Sequence, residues 1–96
     1  MSLTQAQRRH LRKLAHHLKP VVIVGSAGLT EGVLAEIDSA LAHHELVKIR
    51  VNAADRDERQ AMIERIAENT GADWVLSIGH VAAFYRAAEK PKIVLP

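Results

Sequence analysis

Between the apolar run Val21-Val22-Ile23-Val24 and a helical stretch that begins near Thr30 stands the tetrapeptide Gly25-Ser26-Ala27-Gly28. No other feature limits the possible folds as strongly. Two glycines three apart let the backbone turn sharply from strand to helix and leave no Cβ to hold a ligand away. The start of the next helix points free N–H groups, with their partial positive charge, into the same space. Such a corner suits a phosphate group.

The distribution of charge extends that reading. The net charge of the 96 residues is only +2. Residues 1–20 nevertheless carry Arg8, Arg9, Arg12, Lys13 and Lys19 with no acid, whereas residues 21–54 sum to −2 and residues 55–73 to −3. Residues 74–96 return to +2 through Arg86, Lys90 and Lys92 against Glu89. A chain this uneven points its ends at an anionic partner and solvates its acidic middle.

The periodicity predicts alternating helices and strands. Thr4-Gln5-Ala6-Gln7 fits a capping box, and Leu11, Leu14, Ala15 and Leu18 follow at helical spacing as a core face, opposite Arg8, Arg9, Arg12, Lys13 and His16. Pro20 ends this helix. Val21–Val24 lacks polar alternation and is expected to be a strand covered on both faces. Val33, Leu34, Ile37, Ala40 and Leu41 define a second helix. Gly32 in its first turn suggests a close backbone approach. Residues 46–51 alternate, with Val47, Ile49 and Val51 on one side and Lys48 and Arg50 on the other.

Asp55-Arg56-Asp57-Glu58 opens a third helix with acids in its first turn. Met62, Ile63, Ile66 and Ala67 form its buried stripe, and Gly71 stops it. Trp74–Ile78 and Val81–Tyr85 read as strands joined by the glycine-first loop Gly79-His80, and Lys92–Leu95 as a last short extended segment. The expected fold class is α/β: one compact α-β-α-β-α-β-β domain over residues 1–96 with a mixed, four-stranded sheet.

Composition excludes several functions. The chain has no cysteine, hence no disulfide framework and no thiolate nucleophile or metal ligand. Its six histidines include the pairs His16-His17 and His43-His44. Adjacent helical residues diverge by about 100°, which is poor chelating geometry, so no metal and no cofactor is expected. Ser26 is not in a nucleophile elbow, and the glycine loop lacks the Gly-Lys-Ser/Thr ending of a P-loop. The sequence therefore does not read as an enzyme or as a binder of a small-molecule substrate. With no signal peptide and no membrane-length apolar run, the expected compartment is the cytoplasm. Phe84 and Tyr85 are neighbours that must point to opposite faces of a strand. Base stacking on aromatics is thus a minor element, and recognition falls mostly on backbone and shape.

Val24-Gly25-Ser26-Ala27-Gly28-Leu29-Thr30-Glu31-Gly32-Val33, then His44-Glu45-Leu46-Val47-Lys48-Ile49, then Tyr85-Arg86, in this order, resemble the CRM domain (chloroplast RNA splicing and ribosome maturation). The likeness spans nearly the whole chain and is to the short YhbY-type bacterial members. It implies a fold similar to the C-terminal domain of translation initiation factor three, with a G-x-x-G loop likened to that of KH domains at Gly25 and Gly28. It also implies RNA binding, with large-subunit ribosomal RNA in precursor particles as the partner. Many members carry a basic residue inside the loop, where this chain has Ser26 and Ala27. The implied RNA contacts are Gly25, Ser26, Ala27 and Gly28, the basic first helix with Arg8, Arg9, Arg12, Lys13 and Lys19, and Lys48, Arg50 and Arg86. Arg86 is open to a second reading, as the partner of a nearby carboxylate. Two alternatives stand beside this one: a protein-interaction module using the basic helix, and a binder of another structured RNA.

Overall fold

Each helix begins where a side chain takes up amides that the helix leaves unpaired. The computed structural model describes residues 3–96, and α1 runs Gln5–His16. Thr4 Oγ1 accepts from the Gln7 amide and Gln7 Oε1 accepts from the Thr4 amide, both at 3.0 Å, so the capping box is formed. Strand β1 (Pro20–Val24) leads through the glycine loop to α2 (Glu31–His44), where Thr30 caps the Val33 amide. Strand β2 is Leu46–Val51. Helix α3 (Arg56–Thr70) starts at Asp55, whose carboxylate accepts from the Glu58 amide, and ends at Gly71 with φ 71°. Strands β3 (Asp73–Ile78) and β4 (Val81–Tyr85) close the order. Between them Gly79 takes φ 58°, as a tight hairpin with a glycine in first place requires.

The four strands form one mixed sheet in the order β1-β2-β4-β3. Strand β1 is parallel to β2, which needs the α2 crossover, and the other pairs are antiparallel. Alternation in β2 sorts the two faces. Val47, Ile49 and Val51 join Val22, Val24, Ala82 and Phe84 beneath Ile37 and Leu41 of α2 and Ile63 and Ile66 of α3. On the other face Leu46, Val75, Ala83 and Tyr85 lie under Leu11 and Ala15 of α1, with Ile93 and Leu95 of the C-terminal segment packed alongside. Phe84 and Tyr85 thus enter opposite cores.

Several sequence expectations need correction. Strand β1 is not covered on both faces: Val22 and Val24 are buried, but Val21 is 51% and Ile23 61% exposed. Helix α1 packs over β2 and β3 and stops short of the edge strand β1. Helix α1 ends at His16, short of Pro20, so Leu18 lies outside it; Leu14 and Leu18 are partly exposed, and of the expected core face only Leu11 and Ala15 are fully buried. A Cβ on Gly32 would meet nothing closer than Thr30 Oγ1 at 3.9 Å, so no backbone approach within the chain requires that glycine. Residues 92–95 do not form a strand.

The tail's backbone is held by a side chain instead. Glu45, the residue after α2, is 1% exposed and has φ 62°, a left-handed value rare outside glycine. Its amide donates to the Leu41 carbonyl and its own carbonyl accepts from the Arg86 amide. Its carboxylate accepts from the amides of Ala88 at 2.9 Å, Lys92 at 2.7 Å and Ile93 at 3.0 Å. Burial alone would raise the Glu45 pKa, but these three donors, with Lys92 nearby, outweigh it and pull the pKa below the ordinary carboxylate value. Burial, followed by the charges of Glu45 and Asp73, pushes the Tyr85 hydroxyl upward, so it stays neutral.

Because the folded pKa lies below the unfolded one, the charged form of Glu45 stabilises the fold above the unfolded carboxylate pKa. That contribution disappears as pH falls through the folded value. Glu45→Gln should therefore lose about 2 kcal/mol at neutral pH and show a flatter fall in stability on acidification. Urea midpoints of both proteins along an acid pH series check this.

Candidate nucleic-acid interface

The glycine loop folds back on itself at the end of β1. The Gly28 amide donates to the Gly25 carbonyl at 3.0 Å, and the Thr30 amide to the Gly28 carbonyl at 3.1 Å. The two glycines have different reasons to be there. Gly28 has φ +75°, which the turn itself demands, whereas Gly25 has no positive φ and a Cβ there would meet nothing within 4 Å. The open space at Gly25 faces outward, toward whatever approaches the loop. Among the described residues the amides of the exposed Ser26 and Ala27 donate to no group of the chain. These unpaired donors sit just before the α2 N-terminus, in the geometry that favours an anion.

The loop forms one wall of a cleft of about 660 Å³, with Asn52, Ala53, Ala54, Glu58 and Met62 opposite. Glu58 is the carboxylate among the lining residues, and its Oε2 accepts from the Ala54 amide at 3.0 Å. Acidic side chains here serve the start of α3, so the attraction for an anion rests on backbone amides and on cations brought from elsewhere.

Those cations gather on the α1 side of the sheet. Arg8 is half-buried and donates from its guanidinium to the carbonyl of Trp74 in β3. Arg12 lines a shallow cleft with Arg8 and Trp74–Ser77. Lys48 and Arg50 project from β2 on this same side, since they alternate with Ile49 and Val51 of the opposite core. Lys19 stands at the foot of β1, beside Leu18, Val21 and Lys48. Arg9 and Lys13 lie on the solvent side of α1. None of these seven residues forms an ion pair among the described residues.

Arg86 is placed elsewhere. It follows Tyr85, which pairs with Leu46 at the start of β2, whereas the glycine loop follows Val24, which pairs with Val51 at its end. Its guanidinium bonds Asp38 Oδ1 at 2.6 Å, the Thr70 carbonyl at 2.8 Å and the Asp38 carbonyl at 3.1 Å. Arg86 ties α2, α3 and β4 together at the end of the sheet far from the loop, which is the second of its two sequence readings.

Sequence reasoning missed Arg56 and Arg59, because the acids around them explained that stretch as a helix start. Both line a cleft with Ser77 and Gly79, and Arg59 Nη2 stands 3.3 Å from His80 Nδ1. Their spacing of three in the first turn of the helix was the available signal. Among the described residues no group of three or more His, Cys, Asp or Glu could hold a metal ion. Among these residues, too, no helix is long and apolar enough to cross a membrane.

Comparison with known proteins settles the family. Residues 3–86 match the model of the CRS1/YhbY (CRM) domain. The chain belongs to the CRM domain family. An RNA-binding protein of Haemophilus influenzae is 52% identical over 95 residues, covering 99% of this chain and 96% of the relative. A protein of Pseudomonas aeruginosa named as a probable RNA-binding protein is 47% identical over 91 residues, covering 95% and 88%. The solution structure of a candidate RNA-binding protein of Staphylococcus aureus superimposes with a TM-score of 0.86 at 34% identity, covering 99% of this chain and all of that one. The CRM fold of this chain is therefore the mixed four-stranded sheet with α1 on one face and α2 and α3 on the other.

The two loop glycines should separate experimentally. Gly28→Ala is expected to destabilise by about 1–2 kcal/mol through its left-handed backbone. Gly25→Ala should be neutral or stabilise by up to about 1 kcal/mol. Thermal unfolding of the two variants decides the matter.

Proposed function

We propose that this CRM protein binds RNA, seating phosphate groups on the amides of the Gly25–Gly28 loop while cations of the α1 side neutralise the neighbouring phosphates. The observation that carries the reading is the set Arg8, Arg12, Lys19, Lys48 and Arg50 on one side of the sheet, none with a carboxylate partner among the described residues. Like charges held on one side of a fold repel one another, and an anionic partner removes that cost. The open space at Gly25 supports the same conclusion, because no neighbour in the chain uses it. Backbone amides and lysines read phosphates rather than base edges, so this part of the interface positions RNA without selecting its sequence.

The partner we assign is large-subunit ribosomal RNA in a precursor particle, with a role in ribosome assembly. This finer assignment rests on the resemblance to short bacterial CRM proteins; the relatives named as RNA-binding proteins support RNA as the class of partner. Arg86 is left out of the interface because its guanidinium is engaged by Asp38 and Thr70. One observation favours a protein partner as a second reading: Leu14, Leu18, Val21 and Ile93 line an apolar groove of about 610 Å³ at the other end of β1. Ribonuclease treatment separates the two, since a complex held by RNA dissolves and one held by protein survives.

Electrostatic docking makes binding depend on salt. Replacing Arg12, Lys48 and Arg50 together by Gln should lower the slope of log affinity against log salt by about 2 for single-stranded RNA. Titrations at several salt concentrations measure it, and an unchanged slope overturns the assignment of these residues. Sedimentation of a lysate tests the partner: migration with large-subunit particles at low salt, lost at high salt, is the expected result.

A further inference from the structure

The side of the sheet that carries α1 is not fully roofed. Strand register aligns Ile23 with Arg50, Arg50 with Val81, and Val81 with Ile78, a row that crosses all four strands. Neighbouring strands lie about 4.8 Å apart, so the row is about 14 Å wide. All four side chains emerge on the α1 side. Ile23 alternates with the buried Val22 and Val24, Arg50 with Ile49 and Val51, and Val81 precedes the buried Ala82, all members of the opposite core. Helix α1 covers the sheet as far as Ala83, which is buried, and goes no further. Ile23 is 61% and Ile78 68% exposed, and Val81 is partly open.

This strip has a definite place and charge. It is the last row before the glycine loop: Ile23 is two residues from Gly25, about 6.6 Å along the strand. From the Lys48 position to the loop end, the sheet positions on this side carry Lys48 and Arg50 and no carboxylate. An occupant must therefore offer apolar surface to Ile23, Val81 and Ile78 while tolerating or supplying negative charge. Paired RNA does not meet that description, because an A-form duplex shows a protein its phosphates and 2′-hydroxyls and hides its base faces. Unpaired RNA does: its splayed bases are flat and apolar and its backbone is anionic, and an arginine guanidinium is itself a plane on which a base stacks.

We propose that the row Ile23–Arg50–Val81–Ile78 is a platform for the bases of an unpaired RNA segment whose phosphates pass the Gly25–Gly28 loop. This inference deepens the RNA-binding reading above and rests on it, adding that the substrate is single-stranded at the site. Arg50 stacks on one base from the middle of the row, and the aliphatic side chains bury the faces of its neighbours. Aliphatic contact gives little discrimination among bases, since every base has a flat face.

The test compares the wild type with the double variant Ile23→Thr, Ile78→Thr, which keeps β-branched residues in exposed strand positions. Circular dichroism melting verifies that the variant folds. Two probes are titrated: an unstructured RNA of about ten nucleotides, and a blunt duplex carrying the same strand. The wild type should prefer the unpaired RNA. The double variant should lose about tenfold in affinity for it, keep the salt slope of the wild type, and bind the duplex as before.

Equal wild-type affinity for the two RNAs, or an unpaired RNA that binds the double variant undiminished, overturns the platform. If that happens while the Arg12, Lys48 and Arg50 substitutions still flatten the salt slope, the phosphate-binding reading survives alone. If neither RNA binds the wild type, both readings fall. Binding of poly-glutamate in competition with the unpaired RNA, weakened in the double variant as well, would give the row to an acidic protein and also overturn the proposal.

Discussion

Five hydrogen bonds converge on Glu45, and the rest of the structure is arranged around them. The residue closes α2, stands just before β2, and fastens the chain after β4 through its carbonyl and both carboxylate oxygens. A glycine would relieve the left-handed backbone at this helix end, but a glycine has no carboxylate. The strain of one residue is offset by pairing the backbone of a segment that has no strand neighbour of its own. With the tail held, Ile93 and Leu95 complete the second core against Leu46 and Tyr85, and α1 has a floor to lie on.

That second core is narrow, and its narrowness leaves open the surface proposed to bind RNA. Helices α2 and α3 together cover one face of the sheet, whereas α1 alone covers part of the other. What α1 leaves bare is the loop end of the sheet, where Arg50 and the aliphatic row emerge beside Gly25–Gly28. The buried ties and the proposed RNA contacts thus lie at opposite ends of β2. Its start belongs to Glu45, Tyr85 and the tail, and its end to the loop and the open strip. Arg86 belongs to the first group, where its pairing with Asp38 and Thr70 braces the helices that support the sheet from behind.

Local rules carried most of the architecture. Thr4 with Gln7, Thr30, Asp55, Gly71 and Gly79 each act through backbone groups within a few residues, and such signals survive in one dimension. Alternation in β2 likewise revealed that Lys48 and Arg50 share a side. The errors came where a residue's fate depends on a distant neighbour. Val21 and Ile23 look like a fully buried strand, because nothing in their own stretch says that α1 ends before reaching them. Leu14 and Leu18 have the right spacing for a core face, but α1 ends at His16, so Leu18 lies outside it, and both are partly exposed.

The sequence by itself determined the elements, their order, the strand–glycine-loop–helix corner and the unpartnered positive charge of the first helix, because propensity, capping and periodicity act over a few residues. Only the tertiary structure decided which of those charges share a side with the loop and that Arg86 does not. It alone made Glu45, an ordinary acid in the sequence, the buried tie of the C-terminal segment, since its partners lie more than forty positions away. It also left an aliphatic row open beside the loop. These outcomes depend on strand order and on how far one helix reaches across a sheet, and neither is written in any local stretch of residues.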